Sequence, residues 1–386
     1  MEESGPMSRT DRAEIVVDLA AIRHNVRLLR ETTGVPLIVV VKADGYGHGM
    51  VEVGRAAREA GAEWLAAATL DEVIALRRSG DEGRLLCWLA VPGESYDEAV
   101  ALDIDVTAYS VDELGAIAAA ARSVGRPARV QIKVDSGLSR GGVPPAQWSE
   151  VFHRAREGEL DGSWRITGVW SHFACSDEPG HPANDLQESR FHVALAAAEQ
   201  AGLDPEIRHL ANSAAAILRP SARFDAVRCG IAVYGLDPAP GETPDLGLVP
   251  AMTVRARLAM VKHVEAGDSV SYGATWTAEH PTSLGLVPVG YGDGVPRHAS
   301  NAAEVAVGGK RRPIRGRVCM DQFVVDLDGD LPPAGEEVVL FGAPVDGLPT
   351  AQDWAEACGT INYEIVTRIG GRMTRRYVDE GPRGAA

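Results

Sequence analysis

Short apolar runs and longer amphipathic stretches alternate along the first two thirds of the chain. The apolar runs fall at 13–17, 37–41, 64–68, 85–91, 104–108, 130–134, 166–170, 207–210 and 226–227. Between them apolar residues recur at helical spacing. Leu19, Ile22, Val26 and Leu29 share one face of a helix that Asp18 can cap. Further helices are predicted over 73–79, 111–124, 187–201 and 213–218. Near-continuous apolar strands separated by helices signal a parallel sheet covered on both faces. Eight such units in about 220 residues fit a (β/α)8 TIM-type barrel better than an open doubly wound sheet. No GxGxxG follows an early strand, which weighs against a dinucleotide-binding fold.

The rhythm changes after Asp237. Residues 237–249 are rich in Pro and Gly and read as a linker. Beyond them come short β-like runs at 253–264, 269–272, 284–289, 304–307, 316–320, 323–327 and 337–341. No helix is predicted there until 351–357. The α/β chain is thus expected to hold a disordered tail over 1–12, the barrel over 13–245, a mostly β domain over 246–380, and a disordered end over 381–386.

Composition narrows the function. At 386 residues the chain needs no disulfide or metal staple, and its net charge of −16 argues against nucleic-acid and anionic-membrane partners. A small-molecule partner is favoured. No apolar run reaches the roughly 20 residues that cross a bilayer. The polar residues 1–11 lack the hydrophobic stretch of a signal peptide, which predicts a cytoplasmic protein. Cys87, Cys175, Cys229, Cys319 and Cys358 are odd in number, widely spaced and without a CxxC pair, so free thiols and no metal site are expected. Only Lys42, Lys133, Lys262 and Lys310 carry an ammonium, which draws attention to where lysine is used.

Function in a barrel concentrates at the carboxyl ends of its strands. One run ends at Lys42, where desolvation against an apolar strand can lower an amine's pKa and make it a nucleophile toward a carbonyl. A strand-terminating lysine paired with Asp44 is the plain alternative. The whole tract, VVVKADGYGHG, resembles the cofactor-lysine motif of the alanine racemases, with Tyr46 and His48 in place and Asp44-Gly45 as mild departures. Other segments follow in the family's order. QIKVDSGLSRGG carries Lys133 and Arg140, with Ser136 and Leu138 as departures, and VWSHFACSDEPGHP carries His172. HLANSAAA opens a helix at Asn212 and Ser213, and FDAVRCGIAVYG carries Arg228, Gly230 and Ile231. In the second domain VSYGATW carries Tyr272, VGYGDGVPR Tyr291, GRVCMDQ Met320, and TINYEIVTRI Tyr363. A helix-capping role for Asn212 or Ser213 is compatible with phosphate binding, because free backbone N–H groups favour an anion.

The resemblance implies pyridoxal 5'-phosphate held covalently by Lys42. Tyr46, Arg140, His172, Asn212, Ser213, Arg228, Gly230, Ile231 and Tyr363 complete its cradle. Arg228 is implied opposite the pyridine nitrogen, and a carbamylated Lys133 is implied to orient Arg140 toward the phenolic oxygen. It further implies racemisation of alanine by two bases, Lys42 acting on D-alanine and Tyr272 on L-alanine. Arg140, Met320, Tyr272 and Tyr291 would contact substrate. The implied assembly is a homodimer with shared sites, and the implied role is supply of D-alanine for peptidoglycan. A serine or broad-specificity racemase stays open, since substrate size depends on the walls near Tyr291, Met320 and Tyr363. A barrel-type decarboxylase of basic amino acids would need a β-domain cysteine motif that is missing. A non-catalytic pyridoxal-phosphate-binding protein would be a single barrel.

Overall fold

The computed structural model describes residues 11–344 and 347–381. Of the tails expected over 1–12 and 381–386, only Asp11, Arg12 and Gly381 fall within that range. The first strand, β1 (Ala13–Asp18), leads into a helix over Leu19–Thr33 that Asp18 caps, its carboxylate accepting from the N–H groups of Ala20 and Ala21. Eight parallel strands follow: β2 (Leu37–Val40), β3 (Trp64–Thr69), β4 (Arg84–Leu89), β5 (Asp105–Ala108), β6 (Ala128–Lys133), β7 (Trp164–Trp170), β8 (Ile207–His209) and β9 (Val227–Cys229). Each pairs with its sequence neighbour, and β9 pairs back onto β2. Backbone bonds from Asp225 N to Arg208 O (3.0 Å) and from Arg228 N to Ala211 O (2.9 Å) join the remaining edges and close the ring. Helices over Leu70–Arg78, Val111–Val124, Trp148–Leu160 and Pro182–Gln200 cover its outside.

At the amino ends of the strands Asp105 is fully buried and accepts from Arg84 (2.9 Å), Arg129 (3.0 Å) and Thr167. A buried carboxylate needs such partners. Strands β4 to β7 are thereby pinned at the face opposite the one that carries chemistry in barrels.

The sequence places β1 in the barrel; the structure does not. It lies between β10 (Met252–Arg257) and the last strand of a nine-stranded second sheet. The reason is Glu14. This buried carboxylate pairs with Arg255 of β10 (2.5 Å) and with Arg376 (3.2 Å), partners that only the second sheet supplies.

The second domain continues through β11 (Met260–Val264), β12 (Ser269–Val270), β13 (Trp276–Thr277), β14 (Thr282–Val287), β15 (Glu304–Val307), β16 (Lys310–Arg315), β17 (Phe323–Asp326), β18 (Glu337–Phe341) and β19 (Thr374–Val378). The strand expected at 316–320 is displaced to β16. Its charged residues mask an alternation in which Arg312 and Ile314 face inward, Arg312 being held by Asp330. A helix over Asn362–Arg368 and strand β19 are additions to the predicted set. One continuous apolar core runs from the barrel wall into the second domain. Among the described residues no helix is long and apolar enough to cross a membrane.

Candidate active site

A cavity of about 650 Å³ opens at the carboxyl ends of the barrel strands. Lys42, Tyr46, Lys133, Arg140, His172, Asn212, Ser213, Arg228, Gly230, Ile231 and Tyr363 all line it. Two of the chain's four lysines therefore share one cavity. Among the described residues its lining holds four cations, Lys42, Lys133, Arg140 and Arg228, and no carboxylate. In a chain of net charge −16, this is a site built for an anion.

Lys42 follows β2 after a single residue, Val41. Its Nζ lies 5.9 Å from the centroid of Tyr46 and 5.8 Å from that of Trp88. Burial lowers its pKa from the usual lysine value, Arg140 lowers it further, and Glu72 opposes them. Asp44 is not its partner. That carboxylate faces Arg375 at 2.8 Å and accepts from Met50 N at 3.0 Å. The alternative of a lysine merely paired with Asp44 is thus removed. Lys133, at the end of β6, sits 4.7 Å from the Trp170 ring. Burial first, then the charges of Arg228 and Arg140, bring its amine down to about 8.

Arg228, fully enclosed on β9, donates in four directions: to His209 Nδ1 (2.7 Å), Ser171 O (2.7 Å), Leu210 O (2.9 Å) and His172 Nδ1 (3.1 Å). Every partner is an acceptor, as a guanidinium requires. Both imidazoles therefore present lone pairs to Arg228. His209 keeps its proton on Nε2, donated to Gln131 Oε1 at 2.8 Å. Burial, followed by the nearby guanidinium, pushes both histidines well below their ordinary value, so they stay neutral.

Asn212 caps the helix over Ser213–Leu218, its Oδ1 accepting from Ala215 N (3.1 Å) and Ser176 Oγ (2.9 Å). Gly230 N donates to Ser213 Oγ at 2.9 Å. A Cβ at Gly230 would lie 2.4 Å from the Tyr46 hydroxyl, so only glycine leaves this cradle open.

Tyr272, Tyr291 and Met320 do not reach this cavity in their own chain. They are exposed at 72%, 43% and 54%, and they gather on one face of the second domain. Tyr291 N bonds to Cys319 O (3.0 Å) and Gly292 N to Met320 O (2.9 Å). Ser271, beside Tyr272, donates to Arg317 O at 2.7 Å. Tyr363, from the same domain, does line the cavity.

Several lining or supporting residues are additions to the set read from sequence. Trp88 is the penultimate residue of β4, Tyr109 follows β5, and Trp170 closes β7, its ring stacked on His209 (5.6 Å, 8°). The strand-end rule could have found all three, and His209 and Gln131 are the first residues of the HLANSAAA and QIKVDSGLSRGG segments.

A closed parallel barrel, a cationic cavity at its carboxyl face with a strand-end lysine, and a β domain sharing its core define a two-domain barrel enzyme. The family model for the alanine racemase N-terminal domain matches residues 17–238, and that for the C-terminal domain residues 251–377. The alanine racemase of Streptomyces coelicolor is 53% identical over 377 residues, 96% of each chain. The solved alanine racemase of a D-cycloserine-producing Streptomyces lavendulae superposes with a TM-score of 0.94 at 52% identity, covering 96% of this chain and 98% of that one. That of Corynebacterium glutamicum gives 0.84 at 37%, covering 96% and 100%. The chain belongs to the alanine racemase family, a family of isomerases.

Proposed function

We propose that this protein interconverts L- and D-alanine with pyridoxal 5'-phosphate held at Lys42. The cationic lining without a carboxylate is the observation that carries the reading, because it suits both the cofactor's phosphate and the substrate's carboxylate. Ser213, Gly230, Ile231, Tyr46 and Asn212 would hold the phosphate, Arg228 the ring nitrogen, Arg140 the phenolic oxygen, and His172 and Tyr363 the faces and edges. Bound there, pyridoxal phosphate supplies an electron sink that acidifies the substrate's α-C–H.

The chain's own groups then move the proton. Lys42 Nζ, with its depressed pKa, takes or returns it on the face used by D-alanine. Tyr272 does so on the opposite face, for L-alanine. Its exposure in its own chain fits delivery by a second copy, so we assign a homodimer in which each β domain completes its partner's site. Lys133 is the assigned carbamylation site, since its lowered amine is available to carbon dioxide and Arg140 and Arg228 favour the resulting anion. We place the enzyme in the cytoplasm, supplying D-alanine for peptidoglycan.

Incubation of the holoenzyme with single-enantiomer alanine in heavy water tests the reading. Optical rotation should fall to zero with deuterium appearing at Cα. Carbon dioxide release or absence of α-deuteration would contradict it, and faster turnover of serine would select the broader racemase.

Arg228 also controls by-products. A guanidinium only donates, so it leaves the ring nitrogen unprotonated and the electron sink weak. Arg228→Glu is expected to raise transamination relative to racemisation, read as pyruvate formed per racemisation event. An unchanged ratio would refute this role.

A further inference from the structure

Immediately after Lys42 the backbone makes a turn of the wrong hand. Ala43 (φ 53°, ψ 51°), Asp44 (φ 52°, ψ 49°), Gly45 (φ 63°, ψ 43°), Tyr46 (φ 52°) and Gly47 (φ 80°, ψ 0°) all have positive φ. Three of the five carry side chains, for which this conformation is unfavourable and normally confined to single residues. Strain of this kind persists only where the surroundings enforce it, and it clusters at functional sites.

One carboxylate stands behind the turn. Glu72 lies in the first turn of the helix over Leu70–Arg78. Its Oε1 accepts from Ala43 N at 2.6 Å, the amide that follows Lys42. Its Oε2 accepts from Ala68 N (2.9 Å) and Thr69 N (3.2 Å) at the end of β3. A single side chain therefore ties the strained turn after β2 to the next barrel strand through three N–H groups. Hydrogen bonds from N–H to an ionised carboxylate are the stronger kind. Thr69 returns the contact by capping the same helix.

We propose that Glu72 is a positioning residue for Lys42: by holding Ala43 in its left-handed conformation it aims the Lys42 amine into the cavity, and its charge offsets the cations there. The proposal rests on Lys42 being the cofactor-bearing lysine. The charged and titratable groups facing Lys42 are Arg140, Lys133 on β6, His172 after β7, Tyr46 on the turn itself and Glu72. Arg140 lowers the amine's pKa and Glu72 raises it. Removing the Glu72 charge must therefore lower that pKa, while removing its oxygens loosens the turn.

The test follows uptake of pyridoxal phosphate by the apo-form of the full chain against pH, with Glu72→Gln and Glu72→Ala beside the unaltered protein. Glu72→Gln should shift the uptake midpoint to lower pH. Glu72→Ala should in addition slow uptake by about tenfold, and borohydride-trapped label on the Lys42 peptide should fall in step. If Glu72 only caps its helix, both variants melt earlier yet take up cofactor with unaltered rate and midpoint, which overturns the proposal. Should Glu72→Ala not fold, Glu72→Gln, which keeps an acceptor oxygen, decides alone: an unshifted midpoint overturns it. Label trapped on Lys133 in the unaltered protein would instead overturn the reading of Lys42 on which it rests.

Discussion

Replacing Lys42 with alanine is expected to abolish racemisation, lowering the rate by about 10⁴-fold or more. The side chain is assigned two tasks, anchoring the cofactor and moving the proton on one face. Lys133 shares the cavity, but it lies on β6 against Trp170 rather than at the end of β2. Borohydride reduction of the unaltered holoenzyme followed by peptide mass mapping should place the cofactor's mass on Lys42. Its recovery on Lys133 would refute the assignment.

Tyr272→Phe should fail in a different way. The cavity assigned to the cofactor is not lined by Tyr272 of the same chain, so the variant should bind pyridoxal phosphate with the visible absorption of the unaltered protein. Racemisation should fall by about 10²- to 10⁴-fold, the usual effect of losing a positioned acid–base group. Exchange of the α-proton should survive better from D-alanine than from L-alanine, because the face assigned to Lys42 keeps its proposed base. Equal residual exchange from both enantiomers would contradict two bases on two faces.

Much of the cavity was legible in the sequence, for a physical reason. A parallel barrel converts strand ends into one ring of side chains, so residues far apart in the chain converge wherever a strand stops. Lys42, Lys133, His172, Asn212 and Arg228 each follow or end an apolar run, and each lines the cavity. What sequence patterning could not reach is pairing across the fold. The run at 13–17 reads as another barrel strand because periodicity reports burial, and only Glu14 hints at basic partners on other strands. Strand β16 hides behind Lys310, Arg311 and Arg312, whose charges are met by Asp330 and Asp353 from elsewhere in the domain. Strand β19 is similar, its Arg375 and Arg376 reaching Asp44 and Glu14. Glu72 reads as an ordinary first-turn acid. Its reach to Ala43 depends on a left-handed turn that no local preference predicts.

The same limit applies to Tyr272, Tyr291 and Met320. Their motifs mark them as site residues, while one folded chain leaves them together on an exposed face. Both observations hold if the face meets the cavity of a second copy. A two-fold pairing makes the same patches meet twice, giving two identical composite sites, and activity then depends on protein concentration near the dimer dissociation constant.

Mixing the two inactive variants, Lys42→Ala and Tyr272→Phe, tests this account most directly. In a fully exchanged equal mixture half of the dimers are mixed, and each mixed dimer holds one site with both bases. Activity should return toward about a quarter of the unaltered protein's. A mixture that stays inactive after subunit exchange has been verified would show that each site is built within one chain, and would contradict the account.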